Sequence, residues 1–198
     1  MDRAINFSVY TEYFFHVRII TGVFVSLCIS KILSSFVLYI QESSEKIINI
    51  THLCWLLTCS IFVVDWWWDV LTWGDLIKNS YFYYILIILY AFSFYFLSSL
   101  VSPDSINFHE GFDFYFIKIR KWFFIIFIIN QIAYDLLHLL IINNAYWFSL
   151  DSILTAIMAT ILLISNKFYS PASQKITSIA ILVIQIILIF DDLTVRHL

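Results

Sequence analysis

Charge is what this sequence lacks. Asp, Glu, Lys and Arg make up 13% of its 198 residues, about half the share of an ordinary globular chain. Lys plus Arg total 11 against 14 Asp plus Glu, so no basic surface exists for a nucleic acid. Disorder is excluded as well, because disordered chains are rich in charge and poor in aromatics. Glycine and proline are also scarce, at three and two residues. That rules out collagen and low-complexity tracts, and it argues against transporter helices broken at mid-membrane. Cys28, Cys54 and Cys59 are odd in number and lie inside apolar runs, so neither a disulfide framework nor a metal motif follows.

What is present instead is hydrocarbon: 62% of the residues are hydrophobic and 20% aromatic, with 20 Phe, 12 Tyr and 7 Trp. A soluble chain of this length cannot hide that much apolar surface, and the lipid bilayer is its expected solvent. The runs are apolar throughout, whereas a transmembrane strand alternates polar and apolar residues, so a β-barrel is excluded. The predicted fold is an all-α integral membrane protein, one polytopic domain of about six helices. The spans are expected at 19–40, 47–73, 81–101, 122–142, 146–165 and 176–193. Pro103 closes the third, since proline cannot continue a helix. Asp2 and Glu12 accompany Arg3 and Arg18, and no small-residue cleavage site follows, so the N-terminus reads as a retained segment. The stretch 102–121 mixes five Phe or Tyr residues with charges and reads as an interfacial amphipathic segment leading into the fourth helix.

Six spans put both termini on one side. The opposite side carries six Lys and Arg against four, which places it in the cytoplasm and the termini outside; a bacterial inner membrane is the expected location. Nine acidic residues gather in the terminal half, an outward acidic layer that would concentrate cations. Asp65 and Asp69 are expected at the mouth of this vestibule. Trp66, Trp67, Trp68 and Trp73 beside them read as interfacial aromatic anchors, because an indole buries its ring and wets its N–H at the headgroup level.

A charge near the bilayer centre costs about 2.5 to 3.5 kcal/mol and needs a partner, a cavity or a function. Lys31 stands in the first span. On the fourth, Gln131, Asp135 and His138 follow one another at helical spacing with Tyr134 alongside, so they share a face. Depth permits a Lys31–Asp135 ion pair, which would be either a structural latch or part of a proton or cation path through Asp135 and His138. Ser152, Ala156 and Thr160 form a small-residue stripe on the fifth helix, the pattern that lets helices approach closely and that predicts a homo-oligomer.

No phosphate-binding glycine loop, activated nucleophile or zinc-protease pattern is present, so no enzyme activity and no metal site is expected. His16 and His138 share the outer side and are the two imidazoles that could hold a haem; otherwise no cofactor is predicted. A rhodopsin needs a lysine in the core of a late helix, whereas the mid-span lysine here is Lys31 on the first, and a voltage sensor needs a helix with Arg at every third position, which the chain lacks. The leading expectation is therefore an oligomeric cation- or proton-conducting or ion-coupled channel or transporter built on Lys31, Gln131, Asp135 and His138. The alternative is a non-conducting membrane sensor, scaffold or effector that docks a cytoplasmic protein partner through Lys118, Arg120 and Lys121.

Overall fold

The computed structural model describes residues 2–41, 49–72, 81–103, 111–141 and 150–196. Among these residues every regular element is a helix: α1 (Asp2–Gln41), α2 (Ile50–Thr72), α3 (Tyr81–Val101), α4 (Gly111–Ile141), α5 (Leu150–Ser165) and α6 (Pro171–Arg196). Five carry stretches long and apolar enough to cross a membrane: Phe14–Leu38, Ile50–Leu71, Tyr81–Val101, Phe112–Leu140 and Pro171–Asp191. α5 has 16 residues and a length of about 24 Å at the helical rise. Lipid offers no hydrogen bonds to the backbone, so continuous helices are the form such apolar runs take.

The helix ends follow from local chemistry. Asn49 caps α2 by accepting the His52 N–H at 3.0 Å, and Ser170 caps α6 by accepting the Ser173 N–H at 3.1 Å, with Pro171 in the first helical position. The α3 C-terminus spends its last carbonyls on side chains. His52 Nε2 donates to Val101 O at 2.8 Å and the Tyr115 hydroxyl to Leu100 O at 2.9 Å, so these carbonyls are not left bare in a water-poor region.

Each helix packs on its neighbours in a closed ring of order α1, α3, α4, α5, α6, α2, with α2 also leaning inward on α3 and α4. Gly22 of α1 faces the Trp67 ring of α2 while Cys28, further along α1, lies near Cys59, earlier on α2, so the two helices run antiparallel; Cys54 and Ser178 put the starts of α2 and α6 together. The first residue of α1 and the last of α6 therefore lie on one face, the terminal face. The core where α2, α3 and α4 meet is aromatic. Trp55 packs against Phe116, Phe123, Phe124 and Phe127, and Phe62 and Trp66 against Phe94. Offset and edge-on rings at these separations contribute about 0.5 to 1.5 kcal/mol per pair beyond their buried area.

The third helix has the bounds its sequence predicts. The fourth does not: residues 111–121 are the first turns of α4, with Phe112 and Phe116 fully within the core. The interfacial segment is corrected accordingly, and residues 104–110 lie outside the described ones. Phe112, Phe116, Phe123 and Phe127 recur at three- and four-residue multiples, so one buried stripe runs unbroken through the charges that punctuate it. The middle of α4 thus falls near Ile126 rather than Ile132.

Candidate functional site

That shift relocates the polar residues of α4. Ser93 of α3 donates to Asn130 Oδ1 at 2.7 Å, which fixes the depth of α4 against α3. Asp135 lies more than a turn from there toward the terminal face. Lys31 lines a groove with Ser102 and Pro103 at the opposite end of α3. Counting helical rise through this contact, Lys31 and Asp135 stand about 20 Å apart along the bundle axis. The sequence-based ion pair between them is therefore not formed, and Lys31 does not belong with Gln131, Asp135 and His138. Both were expected near mid-membrane because the sequence placed the starts of α1 and α4 too late.

Asp135 pairs instead with α5, accepting the Thr155 hydroxyl at 3.1 Å. Beside it is the most buried carboxylate described, Asp69 of α2, 1% exposed. The Tyr134 hydroxyl donates to Asp69 Oδ2 at 2.7 Å. His138 Nε2 lies 3.7 Å from the same oxygen, too far for a hydrogen bond but close enough for an ion pair once the imidazole is protonated. The Tyr134 and His138 rings lie 4.5 Å apart. Gln131 is buried one turn deeper. Asp69 is thus not an open vestibule residue; it is enclosed by α4. Asp65, one turn earlier on α2, is half-buried.

The tryptophans divide by face. Trp66 is not an interfacial anchor but a core residue, 1% exposed and packed on Tyr90 and Phe94. Trp67 packs on Gly22, and Trp68 is exposed at the surface as expected of a belt residue; Trp73 lies outside the described residues. The basic trio divides too. Lys121 is exposed, Lys118 holds its ammonium 4.2 Å over the Phe114 ring, and Arg120 is buried. Its guanidinium donates to Ile117 O at 2.6 Å and Asn166 O at 3.3 Å and covers the Tyr169 ring at 3.9 Å. Arg120 therefore fastens the α5–α6 turn and presents no docking charge.

His16 is exposed on α1 while His138 is turned toward Asp69, and α1 packs on α2 and α3 rather than on α4 in the ring. The two imidazoles are not brought together as a haem pair. Among the described residues no three His, Cys, Asp or Glu side chains converge as a metal site. Ala156 and Thr160 lie exposed on α5 with Ser152 half-buried, so the small-residue stripe is on the outside of the bundle.

One feature escaped the sequence analysis because it carries no charge. Gln174, Thr177, Ser178 and Gln185 form a buried face of α6. Gln174 Nε2 donates to Phe168 O at 2.8 Å and Ser165 O at 3.3 Å, and Thr177 to Ser165 Oγ at 2.8 Å; Ser178 meets Cys54 of α2. Further along, Thr58 Oγ1 and Gln185 Oε1 are buried without a hydrogen-bond partner. The signal was the helical spacing of uncharged polar residues within an apolar run. No family model, no curated protein and no solved structure matches the chain.

Proposed function

We propose that this polytopic membrane protein conducts or is coupled to a cation, most simply a proton, with Asp69, Tyr134 and His138 as the exchanging site and Asp135 and Thr155 beside it. The observation that carries the reading is a carboxylate enclosed among membrane helices with a titratable imidazole 3.7 Å away. Intramembrane ionisable residues are rare and mark proton relays or ion pathways. A proton arriving on His138 turns the contact with Asp69 into an ion pair, and a small rotation of either side chain lets it pass to the carboxylate. Tyr134 holds Oδ2 in place during that exchange.

Away from this site, the buried polar face of α6 runs from Gln185 toward the opposite end of the bundle. Gln185 and Thr58 present buried atoms with hydrogen-bonding capacity to spare, the kind of partner a buried water satisfies. Below them Ser178, Cys54, Thr177, Ser165 and Gln174 continue the lane. The other interior route, past Asn130, ends on the ring cluster of Phe123, Phe124 and Phe127. This reading includes a homo-oligomer formed through the exposed α5 stripe, a bacterial inner membrane, termini outside and no enzyme activity. The docking alternative is weaker with Arg120 committed to the α5–α6 turn.

Purified protein in liposomes under a pH gradient tests the proposal. Asn at position 69 still accepts from Tyr134 but cannot carry a proton, so Asp69→Asn is expected to fold and to lose proton flux by about a hundredfold, the scale of a positioned proton-transfer group. Equal flux from wild type and Asp69→Asn would overturn it.

A further inference from the structure

Polar residues recur along one face of α2 and one face of α6, and the two helices pack on each other. On α2 they are Cys54, Thr58, Asp65 and Asp69; on α6 they are Gln174, Ser178 and Gln185, each set at helical spacing. Cys54 meets Ser178, and α2 and α6 run parallel from there. Toward the terminal face, Thr58 stands about 6 Å and Gln185 about 10 Å beyond that contact, so the two lie within about 5 Å of each other along the bundle axis. That level is near the middle of both apolar spans.

Hydroxyls elsewhere on these helices are returned to their own backbone. Ser60 donates to Leu56 O at 2.7 Å, Thr177 to Ser173 O at 3.0 Å and Ser178 to Lys175 O at 2.9 Å, the local bond open to a hydroxyl in an apolar helix. Thr58 Oγ1 and Gln185 Oε1 differ: at 0% and 2% exposure, neither has a hydrogen-bond partner among the described residues. A bare oxygen in a membrane interior is costly. Two of them at one level on adjoining helices suit a molecule with two O–H groups to give, which is water. The rest of this level is hydrocarbon. Thr177 meets Ser165 of α5 at 2.8 Å, and α5 runs back antiparallel to α6, so Leu162 stands level with Ile181 and Met158 with Gln185. All three apolar side chains, Met158, Leu162 and Ile181, are fully buried.

We propose that Thr58 and Gln185 hold a water at this constriction, and that the constriction passes protons and excludes metal cations. The selectivity rests on the conduction reading above; the water site does not. A sodium or potassium ion crossing a dry constriction must exchange its hydration shell for protein oxygens, which selective pores supply as whole rings of carbonyls. Two oxygens among hydrocarbon side chains are no such ring. A proton needs only the hydrogen bonds of the bridging water, and neither a hydroxyl nor an amide has to ionise.

Water-edited solid-state NMR of the full chain in lipid bilayers reads the water directly. Magnetisation from water is expected to reach the side chains of Thr58 and Gln185 and not that of Val183, which is exposed on the outside of α6. Thr58→Val should weaken the transfer at Gln185, and Thr58→Ser should keep it. No transfer to Gln185 in the unsubstituted protein would overturn the proposal without reference to flux. In liposomes, a pH gradient is expected to drive proton flux, whereas sodium and potassium gradients drive none above empty vesicles. Gln185→Leu and Thr58→Val should each lower the proton flux by about tenfold, the scale of one hydrogen bond to the bridging water. Should either variant fail to fold, the NMR and the ion selectivity of the unsubstituted chain decide. Sodium or potassium flux comparable to proton flux would overturn the proposal, as would wild-type flux from Gln185→Leu where Asp69→Asn has lost it. Flux kept by Asp69→Asn and lost by Gln185→Leu would overturn the reading at Asp69 and support the constriction.

Discussion

Asp69 shows how one side chain can be costly and still be kept. A carboxylate at 1% exposure has given up its water, and the Tyr134 hydroxyl returns one hydrogen bond, which leaves the ionised form dependent on its surroundings. Asp69→Leu removes the acceptor altogether and takes this hydrogen bond from the half-buried Tyr134 hydroxyl, so it is expected to cost stability by about 1 kcal/mol, whereas Asp69→Asn should cost less. Thermal unfolding of the two variants in the same detergent separates the structural share of Asp69 from its share in flux. Arg120 belongs at this scale too. Its two backbone hydrogen bonds and its stacking on Tyr169 are expected to make Arg120→Ala destabilising by about 2 to 4 kcal/mol. Arg120→Lys should recover only part, because an ammonium has no planar fork to share between Ile117 and Asn166; full recovery in a thermal melt would show that charge alone is what the turn requires. Residue type announced none of these partners. Asp135 and His138 were legible as a polar stripe because their spacing is local, but Asp69 meets Tyr134 across 65 positions of chain. Trp66, Trp67 and Trp68 differ only in which way each faces, which three adjacent indoles do not disclose.

At the scale of the helix, the apolar run was the readable quantity. Tyr81–Val101 is uninterrupted and stopped by Pro103, and its bounds follow directly. α4 was misread because Asp113, Lys118, Arg120 and Lys121 look interfacial when counted as charges. Counted by phase they stand between buried aromatics, and Lys118 and Arg120 are accommodated over rings. The consequence reaches the function: beginning α4 at Gly111 is what moves Asp135 away from Lys31. Between elements, close approach is decided by small residues. A Cβ added to Gly22 would lie 3.2 Å from the Trp67 ring, a contact that a slight ring shift relieves. Gly22→Ala is therefore expected to be nearly neutral, while Gly22→Leu drives α1 off α2 at about 1 to 3 kcal/mol, the usual cost of overpacking. Thermal unfolding in detergent distinguishes them, and a Leu variant as stable as wild type would mean that α1 and α2 do not meet at this point.

For the whole molecule the question is whether the chain crosses six times, and α5 decides it. At about 24 Å it is short of the roughly 30 Å hydrocarbon core, so length alone leaves room for a helix that enters and leaves by one face. Its contacts speak for a crossing. Near its start Thr155 meets Asp135 on the terminal-face side, and just past its end Asn166 is held by Arg120 from the opposite-face half of α4. The two contacts stand 15 residues apart on α4, about 22 Å of rise, so α5 joins the levels that α4 joins in reverse. Cysteine labelling can read this, because Cys28, Cys54 and Cys59 are all buried and leave a low background for a membrane-impermeant maleimide. Tyr81 and Leu150 are exposed at the starts of α3 and α5, and Tyr169 is exposed in the α5–α6 turn. In sealed vesicles of one orientation, Tyr81→Cys and Leu150→Cys are expected to label from one side and Tyr169→Cys only from the other. A helix that doubled back would put Leu150 and Tyr169 on the same side, and the lane along α6 would then lose one of its walls.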